Sequence, residues 1–235
     1  MEVASMKVTK RQHVYQLSFL PRIFPVNCYL VEEVDGLTLI DTGMPFSLRG
    51  IMRAAARIGK PIRRIVLTHA HADHVGALDA LKRELPDVIV YISSRDAALL
   101  GGDASVLPTE PNVPIRGSIP RDVTTRADVL LRDGDAVESL LAVEAPGHTP
   151  GSMAFLDTRS RILIAGDAWQ TRGGIAVSGK LKTWFPFPAL ATWHKPTAWE
   201  SARKLRDLQP SVLAVGHGRM IDHPVAAMTA AIDAY

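Results

Sequence analysis

Between His69 and His74 the chain packs three histidines and an aspartate, His69-Ala70-His71-Ala72-Asp73-His74, and this stretch limits its fold more than any other. On a helix, residues two apart point about 200° from one another, so His69 and His71 share no helical face and belong to a strand end or loop. His71 and His74 meet if a helix begins there. The sequence after them supports this: Val75, Leu78, Leu81 and Leu85 recur at helical spacing, with Asp79, Lys82, Arg83 and Glu84 on the other side. Upstream, Ile65-Val66-Leu67 reads as a buried strand. The cluster therefore sits at the carboxyl end of a strand, where open α/β sheets place their sites. Neutral imidazoles with a carboxylate are ligands for a divalent cation, zinc first, with iron or manganese as alternatives. A polar loop with incidental histidines would explain one such residue, not this density.

Further along, the same local pattern returns. Pro146-Gly147-His148-Thr149-Pro150-Gly151 puts a histidine on a turn, Ile164-Ala165-Gly166-Asp167 puts a carboxylate past an apolar strand, and Val215-Gly216-His217 repeats the arrangement. Gly-His and Gly-Asp are common turn dipeptides taken singly. Four strand ends delivering His or Asp in one context point to a shared site. Asp41, in Ile40-Asp41-Thr42-Gly43, ends another strand; it is either solvated or accepts a hydrogen bond that fixes a ligand histidine's tautomer. His13, His194 and His223 lack such a context and read as surface or core residues.

The rest of the chain supplies a layered α/β frame. Strands are expected over 14–19, 26–31 and 37–40, with Asp35-Gly36 as a hairpin signal, and a helix from Leu48 to Ile58 stopped by Gly59. After the ligand loop and a helix to Leu85 come a strand over 87–92 and a helix over 93–100 capped by Ser93 or Ser94. The proline-rich segment 101–125 reads as a loop flanking the site. Strands at 129–131, 140–144, 153–156 and 162–164 are spaced like an antiparallel meander. Segment 169–193 is irregular and aromatic. Core packing accounts for some of its rings, and Trp169, Trp184 and Phe185 are candidates for an apolar substrate wall. A helix through Trp199 and Leu208, a strand at Val212 and a helix from about His223 complete the reading.

With 235 residues, 47% hydrophobic and 22% charged, the chain can bury a large core as a single domain over 1–235. Its net charge of +3 comes from scattered basic residues, apart from Lys60 to Arg64 and Lys180 to Lys182, so no nucleic-acid partner is expected. The single cysteine, Cys28, reads as a small buried hydrophobe. Residues 1–7 lack the apolar core of a signal peptide, and no stretch approaches transmembrane length, so a cytoplasmic location with no membrane partner is the default expectation. A small-molecule substrate is expected, and a homo-oligomer is compatible with the sequence.

The set His69-x-His71-x-Asp73-His74, His148, Asp167 and His217, with Asp41-Thr42-Gly43 before it, resembles the metallo-β-lactamase superfamily over most of the chain. The resemblance implies a four-layer αββα sandwich with two metal ions at one edge. It implies that His69, His71 and His148 hold the first metal, that Asp73, His74 and His217 hold the second, and that Asp167 bridges them. Such a pair generates hydroxide at physiological pH to attack an ester, lactone or thioester carbonyl, with Asp73 orienting the nucleophile and shuttling a proton. A bridging Asp167 is unlike the true β-lactamases and more like the glyoxalase II, lactonase and phosphodiesterase branches. Quorum-quenching lactonases of this type have a tyrosine three residues after the bridging aspartate, where this chain has Gln170. Glyoxalase II carries a longer helical C-terminal substrate domain, whereas this chain ends about eighteen residues after His217. The rival readings are a mononuclear iron enzyme like the sulfur dioxygenases, a phosphodiesterase or nuclease, and metal binding without catalysis.

Overall fold

Two apolar strand sets face each other across a shared core, and the direction of their strands decides where the site lies. The computed structural model describes residues 6–234; residues 1–5, part of the stretch expected to lack a signal peptide, lie outside the described residues. The first sheet runs β1 (Met6–Arg11), β2 (Val14–Phe19), β3 (Val26–Glu32), β4 (Leu37–Ile40), β5 (Ile62–Val66), β6 (Ile89–Ser93) and β7 (Val129–Leu131), each beside the next. The first four pair antiparallel through hairpins, and β4 to β7 pair parallel. The parallel connections need crossovers. These are α1 (Leu48–Ile58), the pair α2 (Ala72–Val75) and α3 (Leu78–Glu84), and the segment carrying α4 (Asp96–Leu100).

The second sheet has the order β15 (Ile221–Asp222), β14 (Val212–Ala214), β11 (Ile162–Ile164), β10 (Met153–Asp157), β9 (Leu140–Glu144) and β8 (Ala136–Val137). Since β9 and β11 are both antiparallel to β10, and β14 is parallel to β11, the strands β9, β11 and β14 all end at the same rim. Main-chain bonds join the two sheets at that rim, from Met153 N to the Thr68 carbonyl (2.8 Å) and from Asn27 N to the Gly216 carbonyl (3.0 Å). The four strand ends that carry His or Asp are thus brought to one place.

Burial follows the layers. Tyr29, Val31, Ile40 and Val66 from the first sheet meet Met153, Phe155, Ile162 and Ala214 from the second. The outer face of the first sheet packs Leu30, Leu39 and Ile65 against Ile51 of α1 and Leu78 and Leu81 of α3. The outer face of the second packs Leu163 and Leu213 against Ala202 and Leu205 of α6 (Lys195–Asp207) and Met228 of α7 (Val225–Asp233). This is the expected αββα sandwich. Among the described residues, no helix is long and apolar enough to cross a membrane.

Several local expectations need correction. β1 escapes the sequence reading because Met-Lys-Val-Thr-Lys-Arg is a charged edge strand with only Met6 and Val8 apolar, Met6 alone packing against the core. The helix expected from Val75 to Leu85 breaks at Gly76, whose N–H donates to Gly43 O (2.8 Å) and whose Cα lies so close to Pro45 that a Cβ would meet the proline ring at 2.7 Å. Strand β7 joins the first sheet beside β6 and is not part of the meander. The aromatic segment contains two short strands, β12 (Trp169–Gln170) and β13 (Ala176–Val177), and a helix, α5 (Phe187–Ala191). Ser93 does serve the start of α4, its hydroxyl accepting from Asp96 N at 3.0 Å. Cys28 is buried in the outer core of the first sheet, as expected.

Phe155 is fully buried at the seam between the sheets. Its replacement by Ala removes a whole ring from that seam, and the expected cost is about 3–5 kcal/mol, read as a fall in denaturant midpoint with an unchanged m-value.

Candidate metal centre

Five imidazoles and two carboxylates converge at the rim where β5, β9, β11 and β14 end. His69, His71, His74, His148 and His217 are each at most 2% exposed, and Asp167 is 5% exposed. Three sets of these groups can each surround one metal ion, their donor atoms within 4.8 Å of one another: His69 with His71 and His148, His69 with His74 and Asp167, and Asp73 with His74 and His217. The separations suit a shared cation. His148 Nε2 lies 3.4 Å from Asp167 Oδ2, His217 Nε2 lies 3.2 Å from the same oxygen and 3.3 Å from Asp73 Oδ2, and His74 Nε2 lies 3.4 Å from Asp167 Oδ1. Four ligands at about 2.0–2.1 Å around a tetrahedral ion stand roughly 3.3–3.4 Å apart.

The other nitrogen of each ring decides whether the inward one can bind metal. His74 Nδ1 donates to Asp41 Oδ2 (2.7 Å), His71 Nε2 to the Arg116 carbonyl (2.9 Å) and His217 Nδ1 to the Pro25 carbonyl (2.7 Å), and none of these acceptors can donate in return. Thr68 spends its hydroxyl proton on Asp41 Oδ2 (2.8 Å), so its oxygen accepts from His69 Nδ1 at 3.0 Å. Behind His148 a relay does the same: Thr192 donates to the Pro188 carbonyl (2.7 Å), Ser178 therefore donates to Thr192 (2.8 Å), and Ser178 accepts from His148 Nδ1 (3.0 Å). Every neutral ring is thus fixed in the tautomer whose lone pair points inward. His69 Nε2, His74 Nε2 and Asp167 Oδ1 are buried and lack a hydrogen-bond partner, as atoms reserved for a cation would be. The donor set fits a divalent metal.

Protonation follows position. Burial, reinforced by neighbouring imidazoles, pushes His69 well below the ordinary histidine range, and burial takes His148 down to about 3. Burial also opposes charge on His217, yet Asp167 and Asp73 outweigh it and raise that ring to about 10. His74 is likewise raised against its burial by Asp167, Asp41 and Asp73. The two carboxylates respond in kind: burial disfavours their ionisation, but His74 and His217 hold both Asp73 and Asp167 ionised.

Local backbone makes this convergence possible. Asp41, with φ of 57°, turns its carboxylate back to accept from Thr68 N, Thr68 Oγ1 and His74 Nδ1, which is the tautomer-fixing role rather than the solvated one. Gly216 lies against the centre; a Cβ there would meet Asp167 Oδ1 at 2.0 Å and His74 Cε1 at 2.7 Å. Sequence reading missed Asp96, which is fully buried and accepts from Ala70 N (3.0 Å), Thr149 Oγ1 (2.7 Å) and Gly151 N (2.8 Å). It ties the first histidine loop to the His148 turn. Its burial raises its pKa, and the only sequence signal was an acid at the start of a short helix.

The centre forms the floor of a cavity of about 890 Å³ bounded by His71, Asp73, His148, Asp167 and His217. The proposed aromatic wall does not hold as drawn. Trp169 is packed in the core beneath α6, Trp184 is 89% exposed outside the cavity, and Phe185 is buried behind it against Phe24 and His217. Phe24 and Phe187 line the cavity instead. His194 caps α6 by accepting from Thr197 N.

The metallo-beta-lactamase superfamily profile matches residues 21–217. The chain belongs to the metallo-beta-lactamase superfamily. Within it, the chain is 55% identical over 227 residues to the Bacillus subtilis protein YobT, with 97% of each chain covered. It is 32% identical over 213 residues to the probable metallo-hydrolase YflN of the same organism, covering 82% of this chain and 80% of that protein. A metallo-beta-lactamase from Pontibacter korlensis superposes with a TM-score of 0.72 at 18% identity, covering 98% of this chain and 100% of that one. The likeness extends to TTHA1623, solved in a di-iron-bound form, with a TM-score of 0.62, 27% identity, and 86% and 92% of the two chains covered. Superfamily membership and the His/Asp cluster make this chain a divalent-metal-binding hydrolase.

Two substitutions test the geometry. Gly216→Ala drives a methyl into Asp167 and His74, and about tenfold or more weaker metal retention against a competing chelator is expected, read by elemental analysis. Asp96→Ala strands the buried N–H groups of Ala70 and Gly151 at about 1–3 kcal/mol each, so the melting temperature is expected to fall by several degrees.

Proposed function

We propose that this chain is a binuclear metal-dependent hydrolase that cleaves an ester, lactone or thioester bond of a small molecule. The observation that carries the reading is the set of five imidazoles, each turning one nitrogen inward beside two carboxylates, on the floor of an open cavity. In this reading His69, His71 and His148 hold one ion, Asp73, His74 and His217 the other, and Asp167 lies between them, with zinc first and iron or manganese as alternatives. Ions held there would supply Lewis acidity and lower the pKa of a water molecule toward neutrality.

The chain's own groups then have separate tasks. Asp73 is ionised and its side chain is 22% exposed toward the cavity, so it can accept a hydrogen bond from the attacking water, orient it, and pass its proton to the departing oxygen or sulfur. One water is consumed and the acyl–oxygen or acyl–sulfur bond breaks, giving an acid and an alcohol or thiol, or one hydroxy acid from a lactone. Asp41, Thr68, Arg116, Ser178 and Pro25 keep the imidazoles oriented throughout. The cavity walls carry Asp79 and Asp122 but one cation, Arg121, which favours carbonyl substrates over phosphodiesters. A thioester is further supported by the 32% identity over 117 residues to the hydroxyacylglutathione hydrolase of Thermosynechococcus vestitus, although this covers 50% of this chain and 38% of that protein. Gln170 is spent on the carbonyls of Arg172 (3.0 Å) and Phe185 (3.2 Å) and lies outside the cavity walls, which argues against recognition of a substrate ring from that position.

Elemental analysis should find two equivalents of metal, and chelation should abolish ester, lactone or thioester hydrolysis until zinc is restored. One equivalent of iron with oxygen uptake would replace this reading by the redox one. Asp73→Ala, assayed at known metal content, should lower kcat about a hundredfold or more with KM changed far less; unchanged kcat removes Asp73 from the reaction.

A further inference from the structure

We infer that the substrate carries a hydrocarbon chain attached to its scissile group, and that Phe187 and Leu190 of α5 set this specificity. The inference rests on the hydrolase reading for the bond that is cleaved, and on the cavity itself for the chain. Apolar side chains reach the cavity from four separate segments: Phe24 before β3, Met44 after β4, Ile119 and Val123 from the 101–125 loop, and Phe187 and Leu190 from α5. Phe187 and Leu190 are three residues apart, so they share one face of α5. They line the cavity yet are 52% and 61% exposed. Large apolar side chains left open to water inside a concave site gain most from an apolar ligand.

One of the three charged wall residues is already committed to the protein. Asp79 is held at about 2, its burial outweighed by hydrogen bonds, and both its oxygens are used by Thr124 and Thr125, where they anchor the loop that brings Ile119 and Val123 to the site. That leaves Asp122 and Arg121 as the charged wall groups above the centre. A volume of about 890 Å³ is far more than an acetyl or lactyl group fills, and lies near the upper end of small-molecule pockets, roughly 300–1,000 Å³. An extended alkyl chain ending at the metal floor satisfies shape and polarity together.

The test uses zinc-loaded protein and p-nitrophenyl esters with straight acyl chains of two to ten carbons, below their micelle concentrations. The expected result is a kcat/KM that rises about fourfold per methylene until the cavity is filled. A matching series of alkyl acetates, followed by proton release, tells whether the chain enters on the acyl or the alcohol side. Phe187→Ser and Leu190→Ser should flatten the dependence. Val34→Ser, at a fully exposed apolar residue on the β3–β4 hairpin, should leave it unchanged. A flat dependence in both series, or a preference for charged acyl groups, overturns the inference and leaves the hydrolase reading intact. If no ester, lactone or thioester is cleaved, the proposed bond specificity fails, and calorimetry with butanoate to decanoate decides the cavity alone: affinity that does not rise with chain length overturns it.

Discussion

The structure depends on how five buried imidazoles are each held by their outer nitrogen. Desolvation alone would leave these rings free to adopt either tautomer, and a ring with its proton turned inward is no ligand. The acceptors that prevent this come from Asp41 after β4, Thr68 after β5, the Arg116 carbonyl in the long loop, the Ser178–Thr192–Pro188 relay near α5, and the Pro25 carbonyl before β3. The first sheet and both long loops supply the acceptors, while His148 and His217 come from the rim of the second sheet. The centre is therefore a cross-link among distant parts of the chain, and metal affinity and rim stability are coupled quantities.

The same convergence sets tight conditions on the local backbone. Asp41 adopts a left-handed backbone that aspartate tolerates but does not favour, and Gly216 is pressed so close to Asp167 that no side chain fits. Asp167 and Asp73 favour the charged form of His74 and His217, with Asp41 adding to His74, while burial favours the neutral form of His69 and His148. These two rings sit against the carboxylates of Asp73 and Asp167, so charge on one side is balanced by charge on the other.

Much of this was legible from the sequence because the chemistry lies at strand ends. The apolar-strand, glycine, ligand pattern at Asp167 and His217 is local, and so is the histidine loop after β5. What was not legible is what depends on approach between distant segments. Gly76 breaks a helix that its own periodicity supports, because Gly43 and Pro45 lie against it. Asp96 organises two ligand loops from a position whose neighbours in sequence say nothing about Ala70, Thr149 or Gly151. The aromatic segment misled for the same reason: composition says that rings are present, not which face they turn. Trp169 went to the core beneath α6 and Phe187 to the cavity.

The long loop 101–125 shows how one segment can serve chemistry and recognition separately. Its main chain supports the centre: the Arg116 carbonyl fixes His71, the Ser118 carbonyl accepts from Ala72 N (2.7 Å), and the Val113 carbonyl accepts from the Trp193 indole (2.9 Å). Gly117 must be glycine there, because a Cβ would meet His71 Nε2 at 2.3 Å. Its side chains, Ile119 and Val123 among them, face the cavity instead. Because the bonds to the centre are made by backbone atoms, wall side chains can be exchanged without disturbing the tautomer of His71. A fold built in this way can keep one metal chemistry while its substrate changes, since recognition is written in side chains that carry none of the centre's hydrogen bonds.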